Sequence, residues 1–142
     1  GKAIDAIVSD CGDTHVVRFP RNGKKPVCLT PEGRHIKAFQ QRGDDLVLAA
    51  AQPARPMELS LVTTGGEQRL THHNDAWVSE VNIPQPEEFW VQSGEERIQG
   101  WLVRPEGNSA DSEQKAPLIL NIHGGPHAQF SPAFFHELQM YV

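Results

Sequence analysis

Pro117-Leu118-Ile119-Leu120-Asn121-Ile122-His123-Gly124-Gly125-Pro126 is the stretch on which the fold turns. Residues 117–122 form a nearly continuous apolar run, which predicts a strand covered on both faces, because a strand with one wet face alternates apolar with polar. The two glycines after it strip side chains from the backbone, so that amide N–H groups can approach a developing negative charge. Further on, Ser131 is placed to cap a helix with Pro132 in its first turn, and Phe134, Phe135, Leu138, Tyr141 and Val142 fall on one helical face. Strand, glycine loop and helix in that order read as α/β architecture, and ligands bind beyond the carboxyl ends of such strands.

Working back from this stretch, residues 106–115 are polar and read as an exposed surface loop. Before it, Phe89-Trp90-Val91-Gln92-Ser93 and Ile98-Gln99-Gly100-Trp101-Leu102-Val103 flank the bend Gly94-Glu95-Glu96 and predict a hairpin. Pro84-Gln85-Pro86-Glu87-Glu88 reads as a stiff connector, and a domain boundary is expected there, dividing the chain into 1–83 and 84–142. From Ile4 to Ile83 almost nothing recurs at helical spacing; short apolar or alternating runs follow one another across turn residues. Ala6-Ile7-Val8-Ser9 and His15-Val16-Val17-Arg18-Phe19 flank Asp10-Cys11-Gly12-Asp13, and His35–Phe39 and Leu46–Ala50 flank Gly43-Asp44-Asp45. The order His15–Phe19, Asn22-Gly23, Val27–Thr30 returns as Glu58–Val62, Gly65-Gly66, Arg69–Thr71, and the two Leu-Thr pairs stand 41 residues apart. A period of that size is the length of a propeller blade, in which four short strands make one radial sheet that needs neighbours to cover its faces.

Composition narrows the partners. Thirteen basic residues against eighteen acidic ones, mixed along the chain, leave a formal charge of −5 and no basic stripe to neutralise phosphates, which argues against nucleic acid. No apolar run of ~18 residues is present to suit a bilayer, and no basic-then-apolar leader opens the sequence. Two cysteines, Cys11 and Cys28, are too few for a disulfide scaffold; a reducing compartment, with the cytoplasm as default, is the simpler expectation.

The glycine loop matches a placement known from α/β-hydrolases, where one oxyanion donor follows the nucleophile and the other comes from an HGGG-like loop after the third strand. Several motifs add to it: Arg69-Leu70-Thr71 with Asn74, the connector Pro86-Glu87-Glu88, Gly100-Trp101-Leu102 before Pro105, and 117–122 running into His123-Gly124-Gly125-Pro126-His127. In order and spacing they resemble the prolyl oligopeptidase family of serine peptidases, most of all its acylaminoacyl-peptidase-like branch, from the first blade to Glu137-Leu138-Gln139. The resemblance implies the last blades of an all-β propeller over 1–83, screening access to an α/β-hydrolase domain whose first strands and first helix occupy 84–142. It also implies acyl-enzyme hydrolysis of short peptides through a Ser, Asp and His triad, with no cofactor. By the same resemblance Gly125 provides the backbone oxyanion donor, Gly124 permits the close approach, and His123 organises the loop. Some relatives place a Tyr hydroxyl donor where His123 stands, so the second donor here is expected to be backbone or imidazole.

Ser9, Ser60, Ser79, Ser93, Ser109, Ser112 and Ser131 are all the serines, and none lies in a GxSxG elbow. Nucleophile, acid and base are therefore expected beyond Val142, the chain reads as an internal piece of a longer peptidase, and alone it is expected to be inactive. Its partners would be a peptide substrate and the remainder of the same enzyme, with an edge strand available for pairing into a homo-oligomer. The other function class is a non-catalytic propeller-type interaction module; against it, the Gly-His and Trp-Asp blade signature is missing and the 123–126 loop would have no purpose.

Other constellations read as structure. Cys11, His15, Cys28 and His35 lack zinc-ligand spacing, so buried thiols and exposed imidazoles are expected. Gly124, Gly125 and Pro126 forbid the helix that would align His123 with His127. His72-His73 reads as a solvated turn. Adjacent Glu87 and Glu88 would point to opposite sides of an extended segment rather than act as an acid/base pair. Of Trp77, Trp90 and Trp101, weighed as a stacking platform, Trp101 alternates with apolar neighbours and reads as core, as do Phe134 and Phe135.

Overall fold

Cys11 and Gly12 both have positive φ, 46° and 89°. That is the left-handed pair a two-residue hairpin turn needs if its twist is to match the strands it joins. The turn joins β1 (Ala3–Asp10) to β2 (Asp13–Pro20), paired in register from Ala3 opposite Pro20 to Asp10 opposite Asp13. A short β3 (Val27–Cys28) extends this sheet on the β2 side. β4 (His35–Arg42), β5 (Asp45–Gln52), β6 (Arg55–Thr63) and β7 (Gly66–Arg69) then make a four-stranded antiparallel meander. The computed structural model describes residues 1–112, 115–125 and 127–142. Glu113 and Gln114 of the expected surface loop, and Pro126 of the glycine motif, lie outside the described residues.

The repeat is physical. Leu29 N–H donates to Val16 O at 2.8 Å, and Leu70 N–H donates to Leu59 O at 2.8 Å. Beside them Val16 N–H donates to Thr30 Oγ1 at 3.1 Å, and Leu59 N–H donates to Thr71 Oγ1 at 2.8 Å. Each Leu-Thr pair thus continues its outer strand by one backbone and one hydroxyl bond to the strand before. This satisfies backbone groups that a ladder ending at β3 or β7 would leave open. β1-β2-β3 is the counterpart of β5-β6-β7, and β4 is the edge strand that completes the second sheet.

The core lies in the seam between the two sheets. Val16 of β2 packs with Ile36 of β4 and with Leu46 and Leu48 of β5, all buried, and Leu29, Phe39, Ala50 and Val62 flank them. Leu46 and Leu48 share a face because strand side chains alternate. Thr14 N–H also crosses the seam, to Arg34 O at 3.0 Å.

α1 (Asp75–Glu80) follows β7, and β8 (Glu87–Ser93) pairs with β9 (Glu96–Leu102) across Gly94-Glu95. The α1 helix is an element that the reading of 4–83 as strands and turns, with almost nothing at helical spacing, did not place. It has six residues, too few for a periodic apolar signal, and it is fixed by packing of Trp77 against Phe134, T-shaped at 5.6 Å. The connector is shorter than expected: Glu87 and Glu88 belong to β8, opposite Leu102 and Trp101.

In the last third of the chain one further expectation is corrected and another finds no support within the described residues. The helix α2 spans only His136–Gln139, not a run from Ser131. Phe134 N–H donates instead to Gln52 O at 2.8 Å, and Ser131 Oγ accepts Ala133 N–H at 3.1 Å in a local turn rather than a helix cap. This tertiary bond holds 131–134 out of helix, and Phe135, read as core, is exposed. Residues 117–122, read as a strand covered on both faces, have no ladder partner among the described residues and leave Leu118 82% and Leu120 78% exposed. A strand of a parallel sheet gains its hydrogen bonds only from neighbouring strands; here β8 and β9 pair with each other and leave 117–122 without one. Among the described residues, no helix is long and apolar enough to cross a membrane.

Candidate functional site

The glycine loop is exposed, and its two glycines are not explained by the chain's own packing. Neither takes the positive φ that favours glycine, whereas seven other glycines do. A Cβ on Gly124 would meet nothing within 4 Å, and one on Gly125 would come no closer than 3.4 Å, to His127 N. Glycine thus leaves free space at Gly124, while at Gly125 a side chain would touch the backbone of His127 and Ala128. Among the described residues no hydrogen bond occupies the amide of Gly124 or Gly125.

His123 shapes this loop. Its Nδ1–H donates to Gly124 O at 2.8 Å, and its ring stands edge-on to Phe130 at 5.4 Å and 85°. The carbonyl of Gly124 and the N–H of Gly125 belong to one planar trans peptide, so they point in opposite directions. Holding the carbonyl therefore turns the Gly125 N–H away from the imidazole. The same bond commits the imidazole proton, leaving Nε2 of the neutral ring as an acceptor. His127 is not brought into a ligand pair with His123, and among the described residues no three His, Cys, Asp or Glu side chains converge as a metal site.

The cysteine and histidine readings are corrected. Cys11 and Cys28 are exposed free thiols, whereas His15 and His35 are half-buried, each with Nδ1 buried and unpartnered. Alternation turns His15 to the face opposite the buried Thr14 and Val16, where it lines a cavity with Val17 and Cys28, and Cys28 lies in the short edge strand β3. Burial, with Lys37 adding to it, holds the His35 imidazole below its ordinary range. His72 and His73 are solvated, and His72 Nδ1 approaches Asp75 Oδ2 at 2.9 Å.

Glu87 and Glu88 diverge as adjacent strand residues should. Glu87 accepts from Arg104 Nε at 2.9 Å, while Glu88 accepts from Trp90 Nε1 at 2.7 Å and Gln99 Nε2 at 2.8 Å. Trp101 is half-buried and covers Gly12; Trp90 lies under the Arg97 guanidinium at 4.8 Å.

A charged cluster missed by sequence reasoning fills the other end of the seam. A cavity of about 310 Å³ is lined by Arg34, Gln52, Arg55, Glu58, Ser60, Glu67 and Arg69 with Ala50. Buried Arg34 donates through Nη1 to both oxygens of Glu67 at 2.8 Å, and Arg69 bonds Asp75 and His72. Glu58 is 7% exposed. Burial alone would raise its pKa, but bonds from the Thr71 hydroxyl, the Asn74 amide and side chain, and the His73 backbone pull it down to about 2. The signal was in the sequence, as Arg69-Leu70-Thr71 and Asn74, but Glu58 stands too far away in the chain to be joined to them.

This carboxylate gives a pH prediction. Its folded-state pKa lies below its unfolded value of 4.5, so its contribution is complete above pH 4.5 and is lost as pH falls towards about 2. Glu58→Met is expected to cost about 3 kcal/mol at pH 7, since Thr71 and Asn74 lose their acceptor. The loss should shrink as pH is lowered through that window in denaturant titrations, and a loss independent of pH would contradict this account.

No family model matches the chain. It is 37% identical over 139 residues to the uncharacterised peptidase YuxL of Bacillus subtilis, a match covering 94% of this chain and 20% of that protein. The chain thus spans about a fifth of the length of the curated relative it matches. Among solved structures, the acylaminoacyl peptidase of Pyrococcus horikoshii superposes with a TM-score of 0.83 at 23% identity, over 99% of this chain and 22% of that one. An acylaminoacyl peptidase in complex with Z-Gly-Gly-Phe-chloromethyl ketone gives the same TM-score, identity and coverage. The antiparallel sheets match in fold the propeller region of that acylaminoacyl peptidase, and the sequence relative is described as a peptidase.

Proposed function

We propose that this chain, kin to the prolyl oligopeptidase-family peptidases, supplies the oxyanion loop of a serine peptidase that hydrolyses short peptides through an acyl-enzyme. On this reading 1–83 are the last blades of a β-propeller and 84–142 open an α/β-hydrolase domain. The hydrophobic stretch 117–122 is then a sheet strand whose neighbours come from elsewhere in the enzyme. The Ser, Asp and His of the triad likewise belong to sequence outside this chain. Two free thiols at the surface fit a reducing compartment, and we place the enzyme in the cytoplasm.

The observation that carries this reading is an exposed Gly125 whose amide makes no hydrogen bond among the described residues, beside Gly124, where a side chain would meet nothing within 4 Å. As a nucleophile attacks a scissile carbonyl, the oxygen gains charge, and a preorganised N–H aimed there stabilises the transition state more than the substrate. Gly125 N–H is the donor and Gly124 lets the substrate reach it. His123 acts by fixing the peptide plane; with its proton on Gly124 O, the second donor falls to the backbone, which in this fold is the amide after the nucleophile.

The full-length protein should label at a single serine with a fluorophosphonate and should be inactivated by a peptide chloromethyl ketone such as Z-Gly-Gly-Phe. It should hydrolyse N-acylated peptide anilides, whereas the 142-residue chain alone should do neither. A full-length protein that neither labels nor hydrolyses defeats the peptidase reading.

A further inference from the structure

We propose that the Cys11-Gly12-Asp13 turn between β1 and β2 positions the glycine loop, with Gln129 and Gly12 as positioning residues. The inference rests on the oxyanion reading above and adds what holds that loop in place. Gln129 Nε2 donates to Asp13 O at 3.3 Å, and Gln99 Nε2 donates to Cys11 O at 3.0 Å, so the carbonyls on either side of Gly12 are each bound by a side chain from beyond residue 84. Gly12 itself fits between Trp101 and Pro132: a Cβ there would lie 2.8 Å from Trp101 Cη2 and 3.1 Å from Pro132 Cδ. Next to Gln129, Phe130 abuts the His123 ring, and His123 holds the Gly124 carbonyl. The path from the turn to the Gly125 N–H is therefore continuous: Asp13 O, Gln129, Phe130, His123, the Gly124–Gly125 peptide. Each step is a hydrogen bond, a ring contact or a covalent neighbour.

This accounts for a glycine that hairpin geometry alone does not single out. Gly43 occupies the corresponding turn between β4 and β5 with φ 64°, and a Cβ there would meet nothing within 4 Å. Gly12→Ala and Gly43→Ala therefore impose a similar left-handed strain, but only the first pushes on Trp101 and Pro132.

The test uses the full-length protein. Gln129→Met keeps the side chain's length and removes the donor; it is expected to lower kcat roughly tenfold with KM unchanged, because a displaced oxyanion donor fails the transition state rather than the substrate. Gln129→Lys restores a donor and should recover most of that loss. Gly12→Ala should lower kcat in the same way, and Gly43→Ala should leave it at the wild-type value. Hydrogen exchange over residues 123–130 should quicken in Gln129→Met and not in Gly43→Ala, a readout that needs no substrate. Unchanged exchange and kcat in Gln129→Met, a failure of Gln129→Lys to rescue, or equal losses in the two glycine variants each overturn the inference. A wild-type protein without activity defeats the oxyanion reading, and the exchange measurement still decides whether the turn anchors the loop.

Discussion

Gly125→Pro in the full-length protein is expected to lower kcat by roughly 10²–10³, the size of effect seen when one oxyanion donor is removed. Proline deletes the amide hydrogen and fixes φ, while the loop is exposed and Gly125 has no hydrogen bond of its own to lose among the described residues. KM should change little, because the donor acts on charge that appears only at the tetrahedral stage. The melting temperature should stay within a few degrees of wild type, for the buried core is elsewhere, at Val16, Ile36, Leu46 and Leu48. A variant that melts normally and keeps kcat within threefold would remove Gly125 from the mechanism. Gly125→Ala retains the hydrogen and is the matched control.

Leu48→Ala carries the largest expected loss of stability. Leu48 has no exposed surface and lies between Val16 and Ile36 in the seam that joins the two sheets. Truncating such a leucine costs about 2–5 kcal/mol, the transfer of the lost methyls plus the cavity left behind. In the full-length protein the effect should be read locally, as amide exchange in β4–β6, since a large multidomain protein does not unfold in one step. If those amides exchange by local opening, about 2 kcal/mol corresponds to a roughly thirtyfold faster rate. Exchange in β8–β9, whose strands pair only with each other, should not change. Uniform acceleration across all three sheets would show that the seam is not an independent unit.

Much of this architecture was legible locally. Asp10-Cys11-Gly12-Asp13 and Gly43-Asp44-Asp45 gave their hairpins because two-residue turns require residues that tolerate positive φ, and few do. The Leu-Thr repeat gave the blade period because each pair performs the same bonding to the strand before it. The glycine pair was visible because glycine without a turn to make is unusual at the end of an apolar run.

What could not be read depended on partners distant in sequence. Residues 131–134 have a helix-start signal in Ser131-Pro132, but Gln52 O takes the Phe134 amide and Trp77 takes its ring, so the chain stays out of helix until His136. α1 was missed because six residues carry too little periodicity, and the contact that secures it lies more than fifty residues away.

By itself the sequence determined the strands, their turns, the blade repeat and the glycine loop, since each rests on torsional preference or on periodicity within a few residues. Only the tertiary structure decided that Gly12 meets Trp101 and Pro132, that Gln129 reaches Asp13, and that Glu58 is ionised among Thr71 and Asn74. Those are contacts between segments, and their energies depend on distances that exist only once the chain has closed on itself.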